Sequence, residues 1–226
     1  RKRMMDSRVD STRVVAEAIG QAKVPPRVWL NMSTATIYDH RFDAGNDEET
    51  GWIDEGVTEY PDSWKLSVEI AKAWEREQEI ANLANTRKVA LRTAMVMSPI
   101  TGSIFGVLSN LVKLRLGGSI AGGKQFVSWI HEADFLEAVL FLINNEEFQG
   151  PVNLTAPNPL PQREFMRALR KSWGVRIGLP ATKWMAAIGA VAMQTETELI
   201  LKSRRVIPGR LTAAGFKFQF PEWSSA

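Results

Sequence analysis

The chain has 226 residues, 45% apolar and 23% charged, with 28 basic against 25 acidic side chains, a balance that fits an ordinary globular protein and not a disordered or fibrous one. Its basic residues are scattered and form no arm or stripe, which argues against a nucleic-acid partner. Cysteine is absent, so disulfides, thiolate metal sites and thiol nucleophiles are excluded, and a reducing, cytoplasmic setting fits.

The first element is an amphipathic helix from about Lys2 to Gln21, with Val9, Val14, Val15, Ala18 and Ile19 at helical spacing and the breaker Pro25-Pro26 behind it. After it, Arg27 to Ser33 is a short apolar run following a proline turn, as in a buried parallel strand. Residues Asp39 to Asp62 are acidic, glycine-bearing and aperiodic and predict a loop; Trp64 to Leu83 predicts a long helix, and Lys88 to Met97 a second buried strand ended by Ser98-Pro99. This alternation is that of a parallel sheet covered by helices.

Farther along, Ile104 to Leu116 predicts an apolar helix leading into the glycine-rich turn Gly117 to Gly123. Asp134 and Glu137 have the spacing of a capping box for a helix carrying Phe135 to Ile143. Gly150 to Thr155 is a third strand candidate and Arg163 to Trp173 a further helix. Thr195 and Glu198 form a second capping box, and the Phe216, Phe218, Phe220 alternation predicts a strand-like tail. The longest apolar stretch, Trp184 to Met193, is about half of a bilayer span, so no membrane partner is expected.

Several stretches in this order resemble the extended short-chain dehydrogenase/reductases. Ser33-Thr34-Ala35-Thr36-Ile37-Tyr38 resembles the end of that family's fifth strand. Leu91 to Pro99 resembles the strand and loop after its active-site helix, and Ser128 to Asp134 its IHxxD element. Gly150 to Pro159 and the tail from Thr195 through Arg205-Val206-Ile207-Pro208 to Phe216 are similar to atypical epimerase-family members that carry a C-terminal domain of unknown function. The resemblance implies an α/β fold, part of a Rossmann-type doubly wound parallel sheet, with a smaller mixed α/β C-terminal region. Residues 1–100 and the strand near 152 would form the remaining half of the nucleotide-binding domain. Residues 101–226 would be substrate-side, the last part from about 178 being the family-specific domain. It also implies NADP or NAD, NADP being slightly favoured, a small-molecule substrate and, in some members, a homodimer.

In that family the chain would begin about seventy to eighty residues earlier, with a strand, a GxxGxxG turn and a helix holding the pyrophosphate. The glycines at 117, 118, 122 and 123 follow a helix and not a strand, so they read as a surface turn. An N-terminal truncation is expected, and with it an unpaired edge on the first strand that favours association.

Working members use a Ser or Thr, a Tyr and a Lys four residues after the Tyr, whose charge lowers the tyrosine pKa. Thr34 matches the first by position. Counted back from Trp74-Glu75, the Tyr and Lys positions carry Ser67 and Ala71, and Tyr60 with Lys65 has the wrong spacing for one helical face. Tyr38 is left as a proton-donor candidate, with a packed phenol as the alternative reading. For Ser33 and Thr34, ligand binding and capping of a turn stand side by side.

The resemblance further implies that Ser33, Thr34, Arg92, Ala94, Met95, Val96 and Met97 contact the cofactor. Ala94 is small where close approach is needed. Lys124, Trp129 and His131 are the substrate-side candidates. Val127 stands where nucleotide-sugar enzymes carry a phosphate-gripping Arg, while Lys113, Arg115 and Lys124 offer positive charge near the glycine-rich turn. His131 and Asp134 lack a third ligand nearby, so no metal site is expected.

Overall fold

The computed structural model describes residues 2–53, 62–182 and 198–226. Helix α1 (Lys2–Gln21) leads into strand β1 (Val28–Thr34), and α2 (Asp62–Glu79) connects β1 to β2 (Arg87–Thr93). Farther on, α4 (Glu132–Asn144) precedes β6 (Gly150–Leu154). Strands β1, β2 and β6 form a parallel sheet in that order, with Val28 opposite Arg87, Thr34 opposite Thr93, and Leu91 opposite Val152. The α/β class and the parallel sheet are as expected.

Side chains alternate across β2 and decide what each face meets. Val89 and Leu91, with Val152 and Leu154 of β6, pack on Ala138 and Leu142 of α4 to make the largest core. On the opposite face, Lys88 and Arg92 reach α2: the Lys88 amine donates to the Glu79 carbonyl and Arg92 grips Glu75. Gln78 of α2 is buried and donates from Nε2 to the Trp29 and Val89 carbonyls, tying the helix to two strands at once. Among the described strands β1 has a neighbour on one side only, and Met32 on it is exposed.

The apolar run read as one strand is two. Strand β2 stops at Thr93, the Ala94 amide donates to the Leu154 carbonyl of β6 at 3.0 Å, and β3 (Met95–Met97) then leaves the sheet to pair with β5 (Trp129–His131). No glycine or proline interrupts residues 88–97, so only the change of partner reveals the break.

The second region begins with α3 (Ile104–Lys113), capped by the Ser103 hydroxyl, which accepts from the Gly106 amide. It ends earlier than the apolar pattern, and Leu114 and Leu116 are exposed. Strands β4 (Phe126–Val127) and β7 (Leu160–Pro161) pair antiparallel, and α5 (Gln162–Ser172) follows. The α5 residues Phe165, Met166 and Leu169 are buried with Met97, Trp129 and Trp223 in a second core.

Two local expectations are corrected. Helix α4 is capped by His131, whose Nδ1 accepts from the Ala133 amide, while Asp134 is fully buried and accepts from the Gln219 and Phe220 amides at 2.7 and 3.0 Å. That capture explains the tail: it is not a strand, and its phenylalanines instead face Phe141 and His131. Thr195 and the stretch Trp184 to Met193 lie outside the described residues.

Candidate active site at the strand ends

In an open parallel sheet, ligands bind beyond the carboxyl ends of the strands, where backbone groups leave the ladder. Here those ends belong to Thr34 and Thr93, which are direct partners in the β1–β2 register. Both are part-exposed, as are Ala94, Met95 and Val96 just beyond. The Thr34 hydroxyl oxygen accepts from the Thr36 amide at 3.1 Å and caps a single 3-10 turn, Ala35–Ile37. That bond uses the oxygen as acceptor and leaves the hydroxyl proton available to a ligand. Binding and capping, open alternatives in the sequence, are thus compatible in one side chain.

Beneath these ends runs a buried polar chain. Ser33 donates to Glu75 Oε1 at 2.5 Å. The Arg92 guanidinium grips the same carboxylate through Nε and Nη2 at 2.9 and 2.8 Å. Its Nη1 donates to the Tyr38 hydroxyl at 2.9 Å, and that hydroxyl donates to Asn153 Oδ1 at 2.9 Å. Asn153, fully buried, gives its backbone amide to Glu48 and its side-chain amide to the Ile207 carbonyl. Burial opposes the Arg92 charge, but the Glu75 carboxylate and the Tyr38 oxygen more than offset it, so its pKa lies above the usual arginine value.

Sequence reasoning missed Glu75, Asn153 and Glu48. The signal was present in Arg92: a cation directly after the apolar run Val89-Ala90-Leu91 of a buried strand demands a buried partner.

Tyr38 is 2% exposed and does not protrude from its strand end. Burial raises the phenol above its ordinary pKa, and the nearby Arg92 charge only partly counters this. Ala71, at the position where the family carries its lysine, is 0% exposed and packs with Ala35, Ile37, Tyr38 and Val206. Ser67 is part-exposed. Ala71 thus sits inside an apolar cluster.

The remaining sequence candidates fall in different places. Ser33 and Arg92 point down into the polar chain, and Met97 is buried in the second core. Trp129 is 0% exposed, edge-on to Trp223, and the His131 ring, besides capping α4, stacks on Phe220 with centroids 3.9 Å apart. Lys124 is exposed at the end of the glycine-rich turn. Among the described residues no cluster of three potential metal ligands exists, and no helix is long and apolar enough to cross a membrane.

From the C-terminal region, Lys202 reaches back to the strand ends. Its side chain is fully buried, donating to the Thr36 carbonyl at 2.7 Å and to Glu198 at 3.1 Å. Burial lowers its pKa, against the opposing pull of Glu198. The Ser128 hydroxyl, between β4 and β5, likewise donates to the Arg204 carbonyl and accepts from the Val206 amide. The C-terminal segment around Lys202 therefore buttresses the turn that Thr34 caps.

Comparison with known proteins agrees with the α/β fold. Residues 183–226 match the family model of a domain of unknown function, DUF1731. An epimerase family protein of Mycobacterium leprae is 30% identical over 224 residues, covering 96% of this chain and 66% of that protein. Human epimerase family protein SDR39U1 is 27% identical over 225 residues, covering 100% of this chain and 72% of its own length. The chain thus spans about two thirds of the length of these relatives. The crystal structure of human SDR39U1 (isoform 2) with NADPH superposes with a TM-score of 0.83 at 27% identity, over 98% of this chain and 71% of that one. The Thermus thermophilus UDP-glucose 4-epimerase complex with NAD superposes at 0.67 and 17% identity, over 95% of this chain and 65% of that one, a likeness of fold alone. The chain belongs to the atypical epimerase family of short-chain dehydrogenase/reductases that carries the DUF1731 C-terminal domain.

Proposed function

We propose that this chain supplies the nicotinamide and substrate side of an NADPH- or NADH-binding site, and that the protein acts on a small molecule oriented by Thr34. The observation that carries the reading is the pairing of Thr34 with Thr93 at two adjacent, part-exposed strand ends, beside a strand break at Ala94 that keeps side-chain bulk away from the opening. These residues fit the ring end of a dinucleotide, while the described residues contain no strand, glycine turn and helix unit to hold a pyrophosphate. The human relative solved with NADPH supports the same cofactor class.

The bound nicotinamide would supply hydride transfer. The chain's part is positional: the Thr34 hydroxyl donates to a substrate carbonyl or hydroxyl oxygen, and the backbone of Ala94, Met95 and Val96 borders the ring. Ser33 and Arg92 act from below, holding both strand ends through Glu75. Lys124 is left as a cation at the substrate-side rim.

A second reading is favoured by one observation. Ala71 is sealed in apolar packing and Tyr38 is buried, so helix positions 67 and 71 hold no Tyr-Lys pair. A protein that binds the cofactor without turnover, as a sensor or interaction module, fits that arrangement as well.

One experiment separates the two. The natural polypeptide carrying this chain is titrated with NADPH, following energy transfer from its tryptophans, and then assayed with a panel of aldehydes, ketones and sugar nucleotides. Turnover lost in Thr34→Ala with cofactor affinity kept supports the enzyme; binding without turnover supports the sensor; no binding contradicts both.

A further inference from the structure

The glycine-rich turn at 117–123 and the polar face of α5 line an open cavity of about 300 Å³, away from the strand ends. Its described walls include Gly118, Ser119 and Gly122 on one side and Arg163, Arg167 and Arg170 on the other. The three arginines recur at i, i+4 and i+7, the spacing that places side chains on one helical face. The opposite face of α5 is the one buried in the second core, so the arginine face cannot turn away.

Three guanidinium groups in one row repel one another. Their local compensation is small: Arg163 lies 3.7 Å from Glu164 with both half exposed, and Glu164 is the sole acidic residue against eight basic ones in segments 113–125 and 162–182. No carboxylate is among the described lining residues.

The turn itself is held rigidly by α5. Gln162 accepts from the Ile120 amide and donates to the Gly118 carbonyl, the Arg163 amide donates to the Gly123 carbonyl, and Arg170 Nη1 donates to the Gly117 carbonyl at 2.5 Å. Three carbonyl oxygens of the turn, those of Gly117, Gly118 and Gly123, are thereby already hydrogen-bonded. Ala121, Gly122 and Gly123 follow one another at positive φ, and at Gly123 a Cβ would meet Arg163 and Gln162 at 2.7 and 2.8 Å, so the turn lies tightly against the helix.

We propose that this cavity binds a phosphate-bearing small anion, with Arg163 and Arg167 as its gripping forks and Arg170 as the anchor that fixes the wall. A planar guanidinium fork matches two phosphate oxygens, and side chains on one rigid helix are preorganised for it. The site is independent of the nicotinamide site: none of the residues that form it stands at the ends of β1 or β2.

The test is calorimetric titration of the full chain with inorganic pyrophosphate at low salt. Saturable binding is expected, weakened at least tenfold in Arg163→Gln/Arg167→Gln and changed less than twofold in Lys171→Gln, an exposed cation on the same helix outside the cavity. Both arginines are exposed, so the double variant should melt with the wild type; if it does not, Arg167→Lys, which keeps the charge and loses the fork, should show an intermediate loss. Absence of binding, or equal weakening by Lys171→Gln, overturns the site in favour of a diffuse field. A third arm adds vesicles of phosphatidylglycerol and phosphatidylcholine: binding to vesicles with none to pyrophosphate overturns the small-anion assignment in favour of a lipid headgroup.

Discussion

The Arg92 guanidinium meets the Glu75 carboxylate with two nitrogens on two oxygens, at 2.9 and 2.8 Å, and this fork joins strand β2 to helix α2 directly beneath the Thr34 turn. Both side chains are largely shielded, so removing one partner strands the other. Arg92→Leu and Glu75→Leu are each expected to cost about 3 kcal/mol, and the double variant distinctly less than their sum. Urea unfolding of all four proteins checks the coupling; additive losses would mean that the two residues do not form a unit.

The chain has two tyrosines, and burial holds the Tyr38 phenol above its ordinary value of 10. The sign follows from linkage: a folded-state pKa above the unfolded one means stability that is intact below pH 10 and lost as pH rises through the folded value. Absorbance at 295 nm should therefore show a late titration step that coincides with unfolding and disappears in Tyr38→Phe. A step for Tyr38 at or below pH 10 would contradict its place in the polar chain.

Restoring the family's lysine should fail. Ala71→Lys inserts a four-carbon stem and a charge among Ala35, Ile37, Tyr38 and Val206, and overpacking alone costs about 1–3 kcal/mol. The Tm is expected to fall by several degrees in Ala71→Lys and also in Ser67→Tyr/Ala71→Lys, without gain of carbonyl turnover. A stable, active double variant would show that the packing yields readily.

Asp134 accepts two tail amides from 2.7 to 3.0 Å, so Asp134→Ala should release the C-terminal segment and cost about 2–3 kcal/mol. Limited proteolysis reads it: cleavage between Gly215 and Phe220 should accelerate in the variant, and an unchanged pattern would place the tail's anchorage in its phenylalanines instead.

The legible and illegible parts of this fold divide by sequence distance. Strand β1, helix α1 and β6 were readable because a buried parallel strand and an amphipathic helix each leave a local pattern of apolar residues. Asp134 misled because its capping-box spacing to Glu137 is local, whereas its partners, the Gln219 and Phe220 amides, stand 85 and 86 residues away. The strand change at Ala94 was invisible for the same reason: Met95 to Met97 have the composition of a buried strand, and only their pairing with Trp129 to His131 separates them from β2. At the candidate site, the place of Thr34 at the end of β1 was legible, while the Glu75, Arg92, Tyr38 and Asn153 chain spans segments that no periodicity connects.

The central claim is that the cofactor ring lies at the carboxyl ends of β1 and β2. Hydrogen exchange of the natural polypeptide, with and without NADPH, tests it most directly. Slowed exchange is expected, confined within this chain to residues 33–38 and 93–97, with α5 unchanged. NADPH binding that leaves both segments unprotected would contradict it.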